Sequence, residues 1–348
     1  MPNTNPSKLP IRSDTEYTNA AKALAGRDLV SIADLSIEEM AAILELGHAV
    51  KAHPEDFRHA LDARQMVLFF EKASLRTRLT FEVAMNGAGG SATFVDQTAS
   101  PLGERESIPD VAHNLERWMD MIVLRTYAHE TIVEMAANAR VPVVNALSDL
   151  EHPCQAIADF LTLEERFGSV DGLKFTYVGD GNNVCNSLML AAAQLGVHIT
   201  VATPKGFEPK LDITHKAIEI AERTGGTITF THDPVKAVTG AEAVYTDVCT
   251  SMGQENEATR RAPIFKPFQV NEELMSHAVE QAVFMHCLPA HRGAEVTDGV
   301  LDGPQSIVFD QAENRMHAQK AICLMLLGGA KKIPSVRNKG GLQARAKR

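Results

Sequence analysis

The chain has 348 residues, 45% hydrophobic and 22% charged, with a formal net charge of −10. That length holds two α/β domains with full cores, and the acidic balance argues against a nucleic-acid partner. No apolar run is long enough to span a membrane and no signal-peptide core is present; the five cysteines (154, 185, 249, 287, 323) lack CxxC spacing, so a cytoplasmic, reducing setting is expected, with neither disulfides nor a zinc ribbon.

In chain order, residues 1–27 are polar and read as loosely held. Residues 34–50 carry a helical pattern opened by the cap-like Ser36, with Glu39 three residues later. Residues 65–70 form an apolar run expected to be a buried strand. Ser74 then stands at an N-cap position, because Phe81, Ala84, Met85 and Ala88 follow at helical spacing. A second apolar run covers 93–95, a turn-rich stretch 97–106, a helix 109–119, a strand 121–124 ending in Arg125, and a strand 141–146. His152-Pro153 opens a long helix to about residue 167, and 168–172 reads as a break.

A second series follows. The strand 174–178 leads into the turn Gly179-Asp-Gly-Asn-Asn183 and a helix that uses Val184, Leu188, Ala191, Ala192 and Leu195. Strands are expected at 198–202, 227–230, 243–245, 283–286 and 306–309, then a helix over 312–327 closed by Gly328-Gly329. The basic run from Arg337 to Arg348 reads as a frayed tail. Strands alternating with helices predict parallel sheets. The expected class is α/β, with two open parallel-sheet domains (1–151 plus 328–348, and 168–311) joined by two long helices (152–167 and 312–327). In such sheets ligands lie beyond the carboxyl ends of strands, and each polar motif here falls at one.

The most informative stretch is Phe70-Glu71-Lys72-Ala73-Ser74-Leu75-Arg76-Thr77-Arg78, a strand-to-helix turn. Free N–H groups, two hydroxyls and two guanidiniums there suit a polyanion, although a capped helix with solvated arginines has the same spelling. Arg125 is either a companion or a loop-pairing arginine. His152-Pro153-Cys154-Gln155 places an imidazole at a helix N-terminus, where the dipole favours its neutral form or a nearby anion. His286-Cys287-Leu288-Pro289 leaves a strand and turns sharply, and Arg315 stands near the start of the last helix; each is a site or a structural turn. Asp247, followed by Ser251-Met252-Gly253, can hold a cationic amine and an α-amino acid head, and Asn183 offers an amide. Arginines thus gather in the first half, the acid and the amide in the second. A phosphorylated electrophile and an amine form the simplest substrate pair.

Taken together and in order, SLRTR (74–78), HPCQ (152–155), DVCTSMG (247–253), HCLP (286–289) and AENR (312–315) resemble the aspartate/ornithine carbamoyltransferase family, over about residues 28–330. The Ser-Met-Gly loop and HCLPAHRG are similar to its ornithine-specific members. The resemblance implies transfer of a carbamoyl group from carbamoyl phosphate to the δ-amine of L-ornithine, giving citrulline, in arginine metabolism, with no metal or other cofactor. It implies Ser74, Leu75 (through its backbone), Arg76, Thr77, Arg78 and Arg125 around the phosphate. His152, Gln155, Arg315 and the Cys287-Leu288 backbone would meet the carbamoyl end. Asn183, Asp247, Ser251 and Met252 would hold ornithine, with Cys287 beside the attacking amine. Arg125, His152, Cys287 and Arg315 are the expected catalytic set. A cis Leu288-Pro289 peptide, and a trimer in which loop 97–106 reaches a neighbouring subunit, are further implications.

Three positions depart from the family pattern. Leu75 replaces a Thr, Pro101 a Gln and Cys249 a Trp. Members acting on N-acylornithines also lack that Thr but generally lack the Ser-Met-Gly loop; an N-acylornithine substrate, or a non-catalytic carbamoyl phosphate-binding paralogue, is the alternative. A dinucleotide enzyme fits poorly, since Val184 stands where a third glycine belongs and no acid closes the next strand. A metallohydrolase lacks a ligand motif.

Overall fold

The computed structural model describes residues 14–98, 101–250, 253 and 255–330. Two parallel sheets carry it. The first contains β1 (Gln65–Phe70), β2 (Ser91–Asp96), β3 (Met121–Arg125) and β4 (Val143–Leu147), in the order β2-β1-β3-β4. The second contains β5 (Lys174–Val178), β6 (His198–Ala202), β7 (Thr227–Thr231), β8 (Ala243–Thr246) and β9 (Val283–His286), in the order β7-β6-β5-β8-β9. β3, β4, β8 and β9 are buried along their whole length, as apolar strands covered on both faces must be, whereas β2 and β7 are edges with exposed residues.

Each sheet has one place where the connections reverse direction. In the first it lies between β1 and β3, where Phe70 pairs with Arg125 and the Glu71 N–H donates to the Arg125 carbonyl at 2.8 Å. In the second it lies between β5 and β8, where Val178 pairs with Thr246. Adjacent connections leave to opposite faces at such points and open a crevice at the strands' carboxyl ends. The Ser74 turn and Arg125 share the first crevice; the Gly179 turn and Asp247 share the second.

Helices Pro153–Phe167 and Val308–Leu326 pack on each other, and one apolar core continues from Met66, Leu68 and Phe81 through Phe160 and Ile322 to Phe175, Tyr177 and Leu188. Pro153 at the first helical position and the left-handed Gly168 (φ 76°) bound the earlier helix as expected.

Several expectations need correction. Residues 14–27 are not loosely held: helix Asp14–Leu24 buries Tyr17, Ala20, Ala21 and Leu24, and the Gly26 N–H donates to the Leu326 carbonyl at 2.8 Å. The strand over 306–309 does not form. Ser306 makes one isolated bridge to Phe284, and Val308 already starts the last helix. Ser-Ile-Val-Phe has β-favouring composition, but Val308 and Phe309 are taken into the first turn of helix Val308–Leu326, where Val308 is buried in one core cluster with Phe284. Helix His129–Asn138 was not anticipated. Helix Ile37–Ala52 has the expected Ser36–Glu39 capping box, and the Leu288-Pro289 peptide is cis. The tail from Arg337 lies outside the described residues.

Candidate active site

The two crevices face each other across a cleft of about 1530 Å³. On the first-domain wall, Ser74 caps helix Leu75–Asn86: its Oγ accepts from the Thr77 N–H at 3.3 Å and donates to Thr77 Oγ1 at 3.0 Å. The N–H groups of Leu75 and Arg76 have no intrahelical acceptor, as in any first turn. Leu75 is 72% exposed, so its side chain points outward and only its backbone can serve the cleft. Arg76 lines the cleft, and its guanidinium makes no hydrogen bond or ion pair among the described residues.

Arg125 is buried at the end of β3, where the β3–β4 register slips, an irregularity that re-aims side chains. Its Nε donates to the Lys72 carbonyl at 3.1 Å. Burial, then the charge of Arg315, with Arg76 adding to it, pushes Arg125 down to about 9. Arg315 Nη2 donates to Thr77 Oγ1 at 2.6 Å, and its Nη1 donates to Gln155 Oε1. His152 is buried at the N-terminus of its helix. Burial first, then Arg315, Arg125 and Lys72, holds its imidazole well below the usual range, so the ring is neutral near pH 7. His152 Nδ1 and Arg315 Nε are buried without a hydrogen-bond partner among the described residues. This wall crowds cations around a helix N-terminus, and a dianion is the ligand that relieves such crowding.

The opposite wall is acidic. Asp247 follows β8 and is 4% exposed; its Oδ2 accepts from Asn182 Nδ2 at 2.7 Å, and its Oδ1 from the Cys287 thiol at 3.0 Å. Burial, reinforced by Asp247, raises the Cys287 thiol well above its usual range, so it is a neutral donor and not a thiolate. Behind it, His286 Nδ1 accepts the Leu288 N–H at 2.8 Å, leaving Nε2–H to face Glu295 Oε1 at 3.3 Å. Asp247, His286 and Cys287 hold potential metal-ligand atoms within 4.8 Å of one another. Both His286 nitrogens are already committed, so the trio suits a proton-ordering role better than a metal.

Most expected residues thus come together: Ser74, Leu75, Arg76, Thr77, Arg125, His152, Asn183, Asp247, Cys287, Leu288 and Arg315 all line the cleft. Arg78 does not line it; it pairs with Glu82 at 2.9 Å and lies over the Phe94 ring at 3.9 Å. Gln155 sits behind Arg315, not in the lining. Asn183 spends its Nδ2 on the Ser148 carbonyl at 2.6 Å, while its neighbour Asn182 is the one that reaches Asp247. Ser251 and Met252 lie outside the described residues.

Other contributors were missed. Lys72 is buried, paired with Asp149, and sits 4.3 Å over the Tyr127 ring. Arg261 ties down the loop after Asp247 by donating to the Cys249 carbonyl at 2.6 Å and pairing with Asp180. Lys72 stands beside the SLRTR motif and could have been marked by that adjacency; Arg261 had no local signal.

A cationic wall on one α/β domain opposite an acidic wall on another defines a two-substrate transferase site. Comparison with known proteins agrees. Residues 27–165 match the family model for the aspartate/ornithine carbamoyltransferase carbamoyl-P binding domain, and residues 171–326 match the Asp/Orn binding domain. An ornithine carbamoyltransferase of Pyrococcus horikoshii is 49% identical over 311 residues, covering 89% of this chain and 98% of the relative. An anabolic ornithine carbamoyltransferase of Pyrococcus furiosus is 48% identical over the same length, covering 89% and 99%. The solved ornithine carbamoyltransferase from Pyrococcus furiosus superposes with a TM-score of 0.86 at 48% identity, covering 88% of this chain and 99% of that one. The chain belongs to the aspartate/ornithine carbamoyltransferase family.

Proposed function

We infer that the protein transfers the carbamoyl group of carbamoyl phosphate to the δ-amine of L-ornithine, forming L-citrulline and phosphate. The observation that carries this is the pairing, across one cleft, of Arg76 and the Ser74-capped helix N-terminus with the buried Asp247. The phosphate dianion sits on the Leu75 and Arg76 N–H groups, the Ser74 and Thr77 hydroxyls, and the Arg76 and Arg125 guanidiniums. His152 and Arg315 polarise the carbamoyl oxygen, where one donor is worth roughly 3 kcal/mol in comparable oxyanion sites. Asp247 takes the α-ammonium of ornithine.

The δ-amine must attack as its neutral form, and it is largely protonated near pH 7, as lysine is. Entry into a dry cleft crowded with guanidiniums lowers its pKa. Its lone pair then attacks the carbamoyl carbon, and the C–O bond to phosphate breaks with its electron pair going to the phosphate, which takes up the proton the amine nitrogen sheds and leaves as hydrogen phosphate. The Cys287 thiol, held by Asp247, hydrogen-bonds near the amine without ionising. Asn183 lines the cleft at the amino-acid end. Arg78 braces the helix from behind through Glu82 and Phe94, and Gln155 acts through Arg315.

The assembly we propose is a trimer or a multiple of trimers. Leu75, Leu79 and Val83 form an exposed apolar stripe, at 72, 46 and 51% exposure, on the helix that opens the cleft, and Trp118 is 64% exposed. A neighbouring subunit covering such a stripe would account for it. Five unpaired cysteines support a reducing, cytoplasmic setting; no helix among the described residues is long and apolar enough to cross a membrane.

The test is citrulline formation from carbamoyl phosphate and L-ornithine, run beside N-acetyl- and N-succinylornithine. Acylation removes the α-ammonium and leaves Asp247 facing an amide, at a cost on the order of 1–3 kcal/mol. Free ornithine is therefore expected to have the higher kcat/KM by roughly ten- to hundred-fold. A higher value for either acylated substrate would overturn the substrate assignment.

A further inference from the structure

Asp159 lies on helix Pro153–Phe167, fully buried and outside the cleft lining. Its Oδ1 accepts two hydrogen bonds of 2.7 Å, from Gln155 Nε2 on the same helix and from Gln311 Nε2 on helix Val308–Leu326. Each glutamine turns its other end to a group that can only donate. Gln155 Oε1 accepts from Arg315 Nη1, and Gln311 Oε1 accepts from the His286 N–H at 3.0 Å. An amide presents its oxygen to those donors only if its NH₂ finds an acceptor on the other side. One oxygen of Asp159 supplies that acceptor to both, at 2.7 Å; Gln311 Nε2 also reaches the Tyr245 hydroxyl, at the longer distance of 3.2 Å.

We propose that Asp159 is a positioning residue for carbamoyl transfer, setting the amide orientation of Gln155 and Gln311 and so ordering both walls of the cleft at once. Through Gln155 it holds Arg315 against Thr77, on the carbamoyl phosphate side. Through Gln311 it holds the end of β9, from which Cys287 and Leu288 enter the cleft. What the site uses is an acceptor oxygen and not a charge. Asp159 Oδ2 has no hydrogen-bond partner among the described residues, and burial pushes the carboxyl up to about 7. The same two helices are also pinned by Asn314 Nδ2 donating to Thr162 Oγ1 at 3.0 Å, a contact with no link to the cleft, which provides a control.

This role rests on the carbamoyl-transfer reading, so the test separates the two. Asp159→Asn keeps an amide oxygen where Oδ1 stands; Asp159→Leu removes it; Thr162→Val breaks the control contact and the bond from Thr162 Oγ1 to the Ala158 carbonyl at 2.7 Å within its own helix. Carbamoyl phosphate binding is measured by calorimetry, and citrulline formation by steady-state kinetics. Asp159→Asn is expected within about threefold of the parent in both, Asp159→Leu roughly 100-fold lower in kcat/KM with weakened carbamoyl phosphate binding, and Thr162→Val less heat-stable but unchanged in both. An Asp159→Asn protein as impaired as Asp159→Leu, or a folded Asp159→Leu protein that behaves like the parent, overturns the proposal. Should Asp159→Leu fail to fold, Gln311→Met decides: a rise of about tenfold in ornithine KM with unchanged carbamoyl phosphate binding supports it, and no change in ornithine KM overturns it. A parent protein that binds carbamoyl phosphate but makes no citrulline would refute the functional reading alone, and the binding series would then decide the role of Asp159.

Discussion

The two walls of the cleft solve opposite electrostatic problems. The carbamoyl phosphate wall gathers Arg76, Arg125, Arg315 and Lys72 around a helix N-terminus, so it is strained by like charge until an anion arrives; burial and its cationic neighbours already depress Arg125 and His152. The opposite wall holds the buried carboxylate of Asp247, satisfied by Asn182 and Cys287 before any ligand binds. A wall of that first kind binds through charge and should fail when a charge is removed. The second kind selects through geometry and should fail gradually.

Arg76→Leu breaks the first wall and carries the largest expected effect. Turnover should drop by roughly 10²–10³-fold or more, with an unchanged circular dichroism melt, since the side chain lines the cleft and its guanidinium makes no hydrogen bond or ion pair among the described residues. Near-normal carbamoyl phosphate affinity in the folded variant would remove Arg76 from the phosphate site. On the second wall, Asp247→Asn should raise the ornithine KM about ten- to hundred-fold and leave carbamoyl phosphate affinity within a few-fold. Equal weakening of both ligands would mean that the walls do not act separately.

A third prediction concerns the joint between the walls. Glu151 is buried and accepts from Ser31 Oγ at 2.5 Å, the Ile32 N–H at 3.2 Å and Ser187 Oγ at 3.1 Å, and Ser187 Oγ in turn accepts the His152 N–H at 2.9 Å. Burial raises its carboxyl from 4.5 to about 7. Between those values the folded protein retains a proton that the unfolded chain has released, so stability falls as pH rises through this window and levels off above it. Glu151→Gln should lose that leg, on the order of 3 kcal/mol between about pH 5 and about pH 8, as read by denaturant titration. Parallel pH profiles for parent and variant would disprove it.

The smallest effect is expected at Arg78. Arg78→Gln should change kcat/KM by less than about threefold, because loss of an exposed i,i+4 pair with Glu82 is worth only a few tenths of a kcal/mol. A loss near that of Arg76→Leu in a folded variant would place Arg78 on the phosphate wall after all.

Much of the site was legible in one dimension because its physics is local. A cap at Ser74 followed by helical spacing predicts where the first-turn N–H groups point, and strand-end motifs in a parallel α/β chain predict one rim. Some of what was missed was also local. The spacing Tyr17, Ala20, Ala21, Leu24 is a helical stripe hidden in a polar stretch. Arg76 and Arg78 are two residues apart on a helix of 3.6 residues per turn, so they cannot share a face.

By itself, then, the amino-acid sequence determined the alternation of elements, the two sheets and the family to which the chain belongs, because periodicity, capping and motif order are properties of neighbours along the chain. Only the tertiary structure decided which polar groups meet. It brought Arg315 to Thr77, put Asn182 and not Asn183 on Asp247, started the last helix at Val308, and gathered Gln155 and Gln311 on Asp159. Those partners stand far apart in the chain, and a buried polar group takes whichever acceptor or donor packing brings within reach, because leaving it unpaired costs more than almost any local preference it overrides.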